Sequence, residues 1–176
     1  GGPIIDKLAS EGNPKAIDFP RPYLPESFDF SFSGLKTAVL HYLKAKEQKS
    51  RRAEEQKSDK QQFTNSPIHR FTDSKEIKDI AASFQACMVD VLVRKTEWAI
   101  KKEGIRRVTL SGGVSANSEL RKRMKEMGDE RETEIFIPSI NLCTDNAAMI
   151  ASAGYHHFLN KDFAGAGLNP KAYLPL

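Results

Sequence analysis

The second half of the chain alternates short β-prone runs with helices, and this alternation restricts the fold more than any other feature. The run RRVTL leads through a glycine turn into SELRKRMKEMG, a helix expected to end at Gly128. EIFIPSINLC then predicts a second strand and TDNAAMIASAGYHHFLNK a second helix. Such alternation is typical of an α/β layer fold with helices flanking the sheet and ligands at the strand ends.

The first half of the chain is predicted to be mostly helical. Pro3 stands at a plausible first helical position and Gly12 follows the end of a short helix. The proline-rich residues 13–30 predict a loop, and a helix begins near Ser33. A long amphipathic helix follows and is stopped by Gly104.

Composition limits the class of protein. The 176 residues are 39% hydrophobic, which is enough for one real core. No apolar run of about eighteen residues and no secretory signal occurs, so we expect a cytoplasmic protein, or a mitochondrial one of similar appearance, with no membrane partner. The two cysteines are expected to be free thiols. The absence of a starting Met before GGP suggests a fragment.

Charge is concentrated in one segment. Between Lys44 and Lys60 there are seven basic and four acidic residues, which accounts for most of the net charge of +4. One interpretation is a charged, solvated and partly disordered insertion at about 44–75. The other is a contact region for phosphates of nucleic acid, formed by lysines and arginines: Lys44, Lys49, Arg51 and Arg52.

The glycine turn LSGGVSAN is the first candidate site. Gly112 and Gly113 follow a strand and precede a helix that Asn117 or Ser118 could cap. Glycines allow a ligand to approach the backbone, and a helix N-terminus attracts phosphate. A tight turn that binds nothing explains the same residues equally well, and the nucleotide signatures of the Walker A and GxGxxG types are absent.

Asp145 is the second candidate. It either holds a metal ion or, with Thr144 and Asn146, caps the helix that follows. His156 and His157 lie about three turns farther along that helix, too far to share a metal with Asp145, and are expected to be surface or packing residues.

The run DFSFSGLKT is the third candidate. Ser31, Ser33 and Lys36 could together face an anionic ligand. Alternatively, three alternating aromatic residues form the buried face of a strand while the serines point to water: Phe28, Phe30 and Phe32.

Six motifs, taken in order, carry a resemblance to a known family. They are GGP, FPRP, DFSFSGLKT, DIAASFQ, GGVSAN and CTDNAAMIASAG. Together they resemble the C-terminal half of the threonylcarbamoyl-adenosine tRNA transferases, once described as O-sialoglycoprotein endopeptidases. The resemblance implies the actin-like ATPase fold shared with sugar kinases and heat-shock chaperones. Residues 1–176 would form its C-terminal lobe, and the N-terminal lobe would be absent from this chain.

The resemblance also implies roles for individual residues. Asp145 matches a metal ligand, Asn117 and Gly2 match nucleotide-site residues, and Gly112 and Gly113 would line the same cleft. Ser33 and Lys36 are further candidates for substrate binding. The cleft would hold threonylcarbamoyl-adenylate or ATP, and one divalent ion, iron or zinc, shared with histidines of the missing half. This chain alone is then expected to be inactive.

The implied activity is transfer of threonylcarbamoyl from threonylcarbamoyl-adenylate to the adenosine next to the anticodon of tRNA. Implied partners are tRNA, the N-terminal lobe, a paralogous partner protein and an ATPase. Two alternatives remain open, namely a lobe of a sugar kinase-like or actin-like ATPase and a non-enzymatic module that binds tRNA. A protease is not supported, because the chain has no HExxH sequence.

Overall fold

The computed structural model describes residues 1–55 and 74–169. Within these ranges the elements follow one another as α1 (Gly2–Ala9), α2 (Ser33–Glu55), α3 (Ser74–Glu103), β1 (Arg107–Thr109), a 3₁₀ turn (Gly113–Ala116), α4 (Ser118–Glu130), β2 (Glu134–Phe136), a second 3₁₀ turn (Ile140–Leu142) and α5 (Ala147–Leu159). The helices expected from the sequence are all present, and α3 ends just before Gly104, whose φ of +64° favours glycine.

Helix α3 is the element on which the others pack. Its first half meets α1 where Ala9 lies on Ala81 and Ala82, three small side chains that allow a close approach. Its middle meets the 13–30 loop and α2, where Phe19 and Leu35 enclose Cys87. Its second half meets α4 through a larger cluster: Val89, Val93, Ile100, Leu120, Met124 and Met127. Burial of apolar surface along α3 therefore holds the fold together.

Strands β1 and β2 pair in parallel, with Val108 opposite Ile135. Helix α4 connects them and covers one face, so the predicted α/β arrangement is confirmed for this part of the chain. The second strand is shorter than expected from EIFIPSINLC. It ends at Phe136, because Pro138 cannot donate a ladder hydrogen bond and the chain then turns through residues 140–142.

Gly128 does not end α4, as the sequence suggested, since the helix continues to Glu130. The glycine is buried where α4 crosses β2. A Cβ atom added there would lie 2.4 Å from Cγ1 of Ile135 and 2.7 Å from the carbonyl oxygen of Thr133. Gly128 therefore serves close packing of helix on strand and not termination.

The charged segment is partly regular. Helix α2 runs to Glu55, so residues 44–55 are helical, whereas residues 56–73 lie outside the described residues. The ammonium of Lys46 lies 2.7 Å from a carboxylate oxygen of Glu76, which ties α2 to the start of α3. The hydrogen bond to Glu76 and the nearby Tyr42 raise the pKa of Lys46.

The phenylalanines of DFSFSGLKT do not form a buried strand, so that interpretation is wrong. Phe28 and Phe30 are exposed, and the segment is irregular up to Ser33. Phe28 instead lies against Trp98 of α3, with 4.8 Å between ring centroids, and Phe30 stacks on Phe32. The four prolines of residues 14–25 explain why regular pairing does not develop before this point.

Lys95 fixes this loop to α3. Its side chain is only 3% exposed, and its ammonium donates hydrogen bonds to the carbonyl oxygens of Leu24 and Ser27, the latter at 2.6 Å. The ammonium also lies 4.3 Å from the centroid of the Tyr23 ring. A buried cation is stable here because carbonyl oxygens and aromatic faces replace its water shell.

Helix α5 stands apart from this core. Every residue from Ala147 to Leu159 is exposed, so the small residues of this helix are not packed closely on a neighbour within the described chain. The small residues remain on a face that the described residues leave uncovered. None of the helices in residues 1–55 and 74–169 combines the length and apolar character that crossing a bilayer requires.

Replacement of Gly12 should show how closely α1 approaches α3. A Cβ atom at this position would lie 2.1 Å from the carbonyl oxygen of Lys78, a backbone atom that cannot rotate away. We expect Gly12→Ala to lower the free energy of unfolding by about 2–3 kcal/mol in urea titrations. Gly154→Ala, which meets nothing within 4 Å, is the control and should cost nothing. Equal stability of the two variants would contradict this packing.

Replacement of Lys95 tests the attachment of the loop. Lys95→Met should leave the carbonyls of Leu24 and Ser27 without a donor and lower the free energy of unfolding by about 2 kcal/mol. The neighbouring Arg94 is exposed and lies over the Tyr23 ring at 5.4 Å, so Arg94→Met should cost less than about 1 kcal/mol. A Lys95 variant as stable as the Arg94 variant would show that the loop does not depend on the ammonium.

Candidate functional site

The glycine turn after β1 is open to solvent. Gly112 has φ +84°, a conformation that side chains disfavour, and nothing lies within 4 Å of a Cβ atom added there. Its carbonyl accepts hydrogen bonds from the backbone N–H and the hydroxyl of Ser115, at 2.9 and 2.7 Å. Because the buried Ser115 fixes the turn, the exposed backbone of Gly112 and Gly113 is held in one conformation.

Asn117 caps α4, as one of the two alternatives predicted. Its side-chain oxygen accepts a hydrogen bond from the backbone N–H of Leu120 at 2.9 Å. Its amide nitrogen donates to the side chains of Gln85 and Asp6, at 2.8 and 3.0 Å. Both amide protons of Asn117 are therefore used within the protein, which fixes the orientation of this side chain.

Asp6 is a site residue that sequence reasoning missed. Its carboxylate accepts hydrogen bonds from the hydroxyl of Ser118 at 2.8 Å and from the backbone N–H of Ser118 at 3.1 Å. A carboxylate at a helix N-terminus is stabilised by the free N–H groups and the helix dipole. The signal was the spacing in GGPIIDK, since Asp6 follows Gly2 by four residues and shares its helix face.

Gly2 belongs to this cluster through Asp6. It begins α1, and both Gly1 and Gly2 are exposed with nothing within 4 Å of an added Cβ atom. The carbonyl of Gly1 accepts hydrogen bonds from the N–H groups of Ile4 and Ile5. The structure thus links the GGP and GGVSAN motifs, more than a hundred residues apart, through one carboxylate.

Asp145 does not cap α5. The cap is Asn146, whose side-chain oxygen accepts a hydrogen bond from the N–H of Met149 at 3.0 Å, while its amide donates to the carbonyl of Thr144. The carboxylate of Asp145 is exposed and has no hydrogen bond or ion pair with any described residue. The capping alternative is therefore wrong for Asp145 and confirmed for Asn146, and the carboxylate of Asp145 remains exposed.

The loop that carries Asp145 lies beside the glycine turn. A Cβ atom added to Gly113 would be 3.9 Å from Cγ2 of Thr144, the residue before Asp145. The loops that follow β1 and β2 therefore meet at the same edge of the sheet, as expected for parallel strands.

Ser33 and Lys36 lie elsewhere. Both are exposed at the start of α2, on the rim of a cavity of about 650 Å³ between α1, α2 and α3. The cavity wall is otherwise apolar, with Ile5, Leu35 and Phe84 among its residues. No described hydrogen bond or ion pair joins Ser33 or Lys36 to Asp6, Asn117 or Asp145, and Ser31 is not part of the wall.

The described residues do not form a complete metal site. No group of three His, Cys, Asp or Glu side chains in residues 1–55 and 74–169 is arranged to hold an ion. His156 and His157 are exposed, as expected, and Nδ1 of His157 lies 2.7 Å from a carboxylate oxygen of Asp162. His69 lies outside the described residues. A metal at Asp145 would need its other ligands from beyond the described chain.

The whole chain is similar to known proteins. The family model described as tRNA N6-adenosine threonylcarbamoyltransferase matches residues 1–152. Relatives of that name from Thermodesulfovibrio yellowstonii and Moorella thermoacetica are 47% and 44% identical over all of this chain. A third, from Clostridioides difficile, is 44% identical over 96% of it.

The chain spans about half the length of these curated relatives, covering 47%, 45% and 44% of them respectively. The identity extends across the segments that carry GGP, GGVSAN and CTDN, which are the segments that the fold brings together. The resemblance seen in the sequence is confirmed, and the chain belongs to the tRNA N6-adenosine threonylcarbamoyltransferase family.

Proposed function

We propose that this chain forms part of an enzyme that transfers a threonylcarbamoyl group from threonylcarbamoyl-adenylate to N6 of the adenosine next to the anticodon of tRNA. The observation that carries the proposal is 47% identity over the entire chain to a protein named for this activity. Those relatives' names favour the transferase over the kinase-like and purely tRNA-binding alternatives.

Asp6 and the glycine turn would bind different parts of the nucleotide. Asp6 already occupies the N-terminus of α4, so this helix end is not free for phosphate. Its carboxylate oxygens can accept further hydrogen bonds, which suits hydroxyl groups of a nucleoside. The exposed backbone at Gly112 and Gly113 remains available to phosphate, and Gly2 and Asn117, which are connected through Asp6, would contact the same nucleotide.

The metal part of the proposal rests on Asp145. Its free, exposed carboxylate lies next to the glycine turn, which suits one ligand of a divalent ion such as iron or zinc. The remaining ligands would be histidines of the other half of the protein, because the described residues contain no group of three His, Cys, Asp or Glu side chains that could hold an ion. Once bound, the ion would polarise the acyl or phosphate oxygen of the substrate.

The proposed protein context follows from the family. The chain would be the C-terminal lobe of an actin-like ATPase fold, and the described residues show its α/β character in a small parallel sheet flanked by helices. Its partners would be tRNA, an N-terminal lobe, a paralogous protein and an ATPase, and its place the cytoplasm. Ser33 and Lys36 would contact substrate from the rim of the neighbouring cavity.

Replacement of Asp145 tests the metal site in a protein that contains both halves. Asp145→Ala should abolish metal retention and transfer, because the proposed site would lose the carboxylate that this half contributes and affinity depends on several ligands held together. Metal content after desalting is the measurement. Asp162→Ala removes an exposed carboxylate that pairs with His157 and should leave metal content unchanged. Full metal content in the Asp145 variant would remove this residue from the site.

The 176-residue chain by itself should show no transfer. One carboxylate binds a metal weakly, since affinity depends on several ligands held together. The test is mass analysis of tRNA nucleosides after incubation with threonylcarbamoyl-adenylate. Adding the N-terminal half of the Thermodesulfovibrio yellowstonii relative should restore the product. Product formed by the chain without that addition would refute a shared site.

A further inference from the structure

A single guanidinium connects the two loops of the site. Arg121 lies on α4, four residues after Asn117. One of its terminal nitrogens, Nη1, donates a hydrogen bond to the carbonyl of Ser115 at 3.0 Å, at the end of the glycine turn. The other, Nη2, donates to the carbonyl of Pro138 at 2.8 Å, and Nη1 also lies 3.6 Å from Sγ of Cys143.

The loop that bears Asp145 has few other attachments. Its internal backbone hydrogen bonds run from Leu142 to Ser139 and from Cys143 to Ile140. The helix that it enters, α5, is exposed along its whole length and gives no packing support. In the part of the chain that the structure describes, the hydrogen bonds reaching residues 137–146 from outside the loop and α5 all come from Arg121.

We infer that Arg121 is a positioning residue, which holds the Asp145 loop against the glycine turn. Arginine suits this task because its planar fork presents several donors in fixed directions, whereas lysine offers a single mobile point charge. The contact with Cys143 lies two residues before Asp145, and Thr144 meets Gly113 from the same side. The role toward a metal rests on the proposed function, in which Asp145 is a ligand.

The chain contains two cysteines, and they can report on this role separately from stability. Cys143 is 3% exposed and lies within the loop that Arg121 holds. Cys87 lies on α3 and is 0% exposed in the core, where burial raises the pKa of its thiol and Sγ donates to the carbonyl of Pro20 at 2.9 Å. Local release of the loop would expose Cys143 alone, and general loosening would expose both.

The experiment compares Arg121→Met with Arg123→Met in this chain. Arg123 lies on the same helix and pairs with Asp90 at 3.0 Å, so its loss also removes a charged contact but leaves the loop untouched. Both proteins are treated with an aromatic disulfide reagent, and the labelled thiol is located by peptide mass. Because Cys143 is buried, faster labelling of Cys143 with Cys87 unchanged reports that the loop has opened.

We expect Cys143 to react at least about tenfold faster in Arg121→Met, with Cys87 unchanged, because a charge-assisted hydrogen bond that closes the loop is lost. Arg123→Met should leave the ratio of the Cys143 rate to the Cys87 rate as in the original protein. Arg121→Lys should give a Cys143 rate between those of the original protein and Arg121→Met. Unchanged reactivity of Cys143, or a parallel increase at Cys87, would overturn the inference.

A second readout separates this inference from the proposed function. With the other half supplied, Arg121→Met should weaken metal retention about 10- to 100-fold, as loss of outer partners of a ligand does. If Asp145→Ala loses the metal and Arg121→Met keeps it fully, the positioning role is refuted and the proposed site stands. If Asp145→Ala keeps the metal, the proposed metal site fails, and with it the role of Arg121 toward that site.

Discussion

The carboxylate of Asp6 at the N-terminus of α4 is the interaction on which the arrangement of the site depends. It joins the first helix of the chain to a helix that begins 112 residues later, and Asn117 extends the contact to Gln85 of α3. A carboxylate that accepts several hydrogen bonds at a helix end gains from both the donors and the dipole. The helix that begins at Gly2 is therefore joined by directed hydrogen bonds to the residues that follow the glycine turn.

Charged and polar contacts position the loops of the candidate site, whereas apolar contacts hold the helices around α3 together. The clusters along α3 bury leucine, valine and methionine side chains. The loops after β1 and β2 are rich in glycine, serine, threonine and asparagine, and their larger apolar side chains Val114, Ile140 and Leu142 are exposed, so the loops bury little apolar surface. Asp6 and Arg121 substitute for that missing burial with directed hydrogen bonds, so the loops keep their backbone open and still have a defined geometry.

Local signals predicted the local features. The spacing of apolar residues gave α3, Gly104 its end, and Asn117 the start of α4, because each depends on residues within a turn or two. Asp6 was missed because its partners are distant in sequence. The prediction that Gly128 ends α4 was wrong because the sequence does not show that Ile135 of β2 packs against this position. A glycine required for close packing and a glycine that ends a helix have the same local pattern. Spacing could not decide which of Asp145 and Asn146 caps α5, because both precede the first turn of the helix. The structure shows that Asn146 is the cap.

Helix α5 has a consequence for how the chain behaves in solution. Ile150, Tyr155, Phe158, Leu159 and Phe163 all present more than half of their surface to water. Exposed apolar side chains of this kind favour association between molecules, since each contact removes apolar surface from water and needs no shape complementarity. The 176-residue chain should therefore be monodisperse at low concentration and associate as the concentration rises. It should also bind dyes that fluoresce on apolar surfaces, because these side chains are exposed.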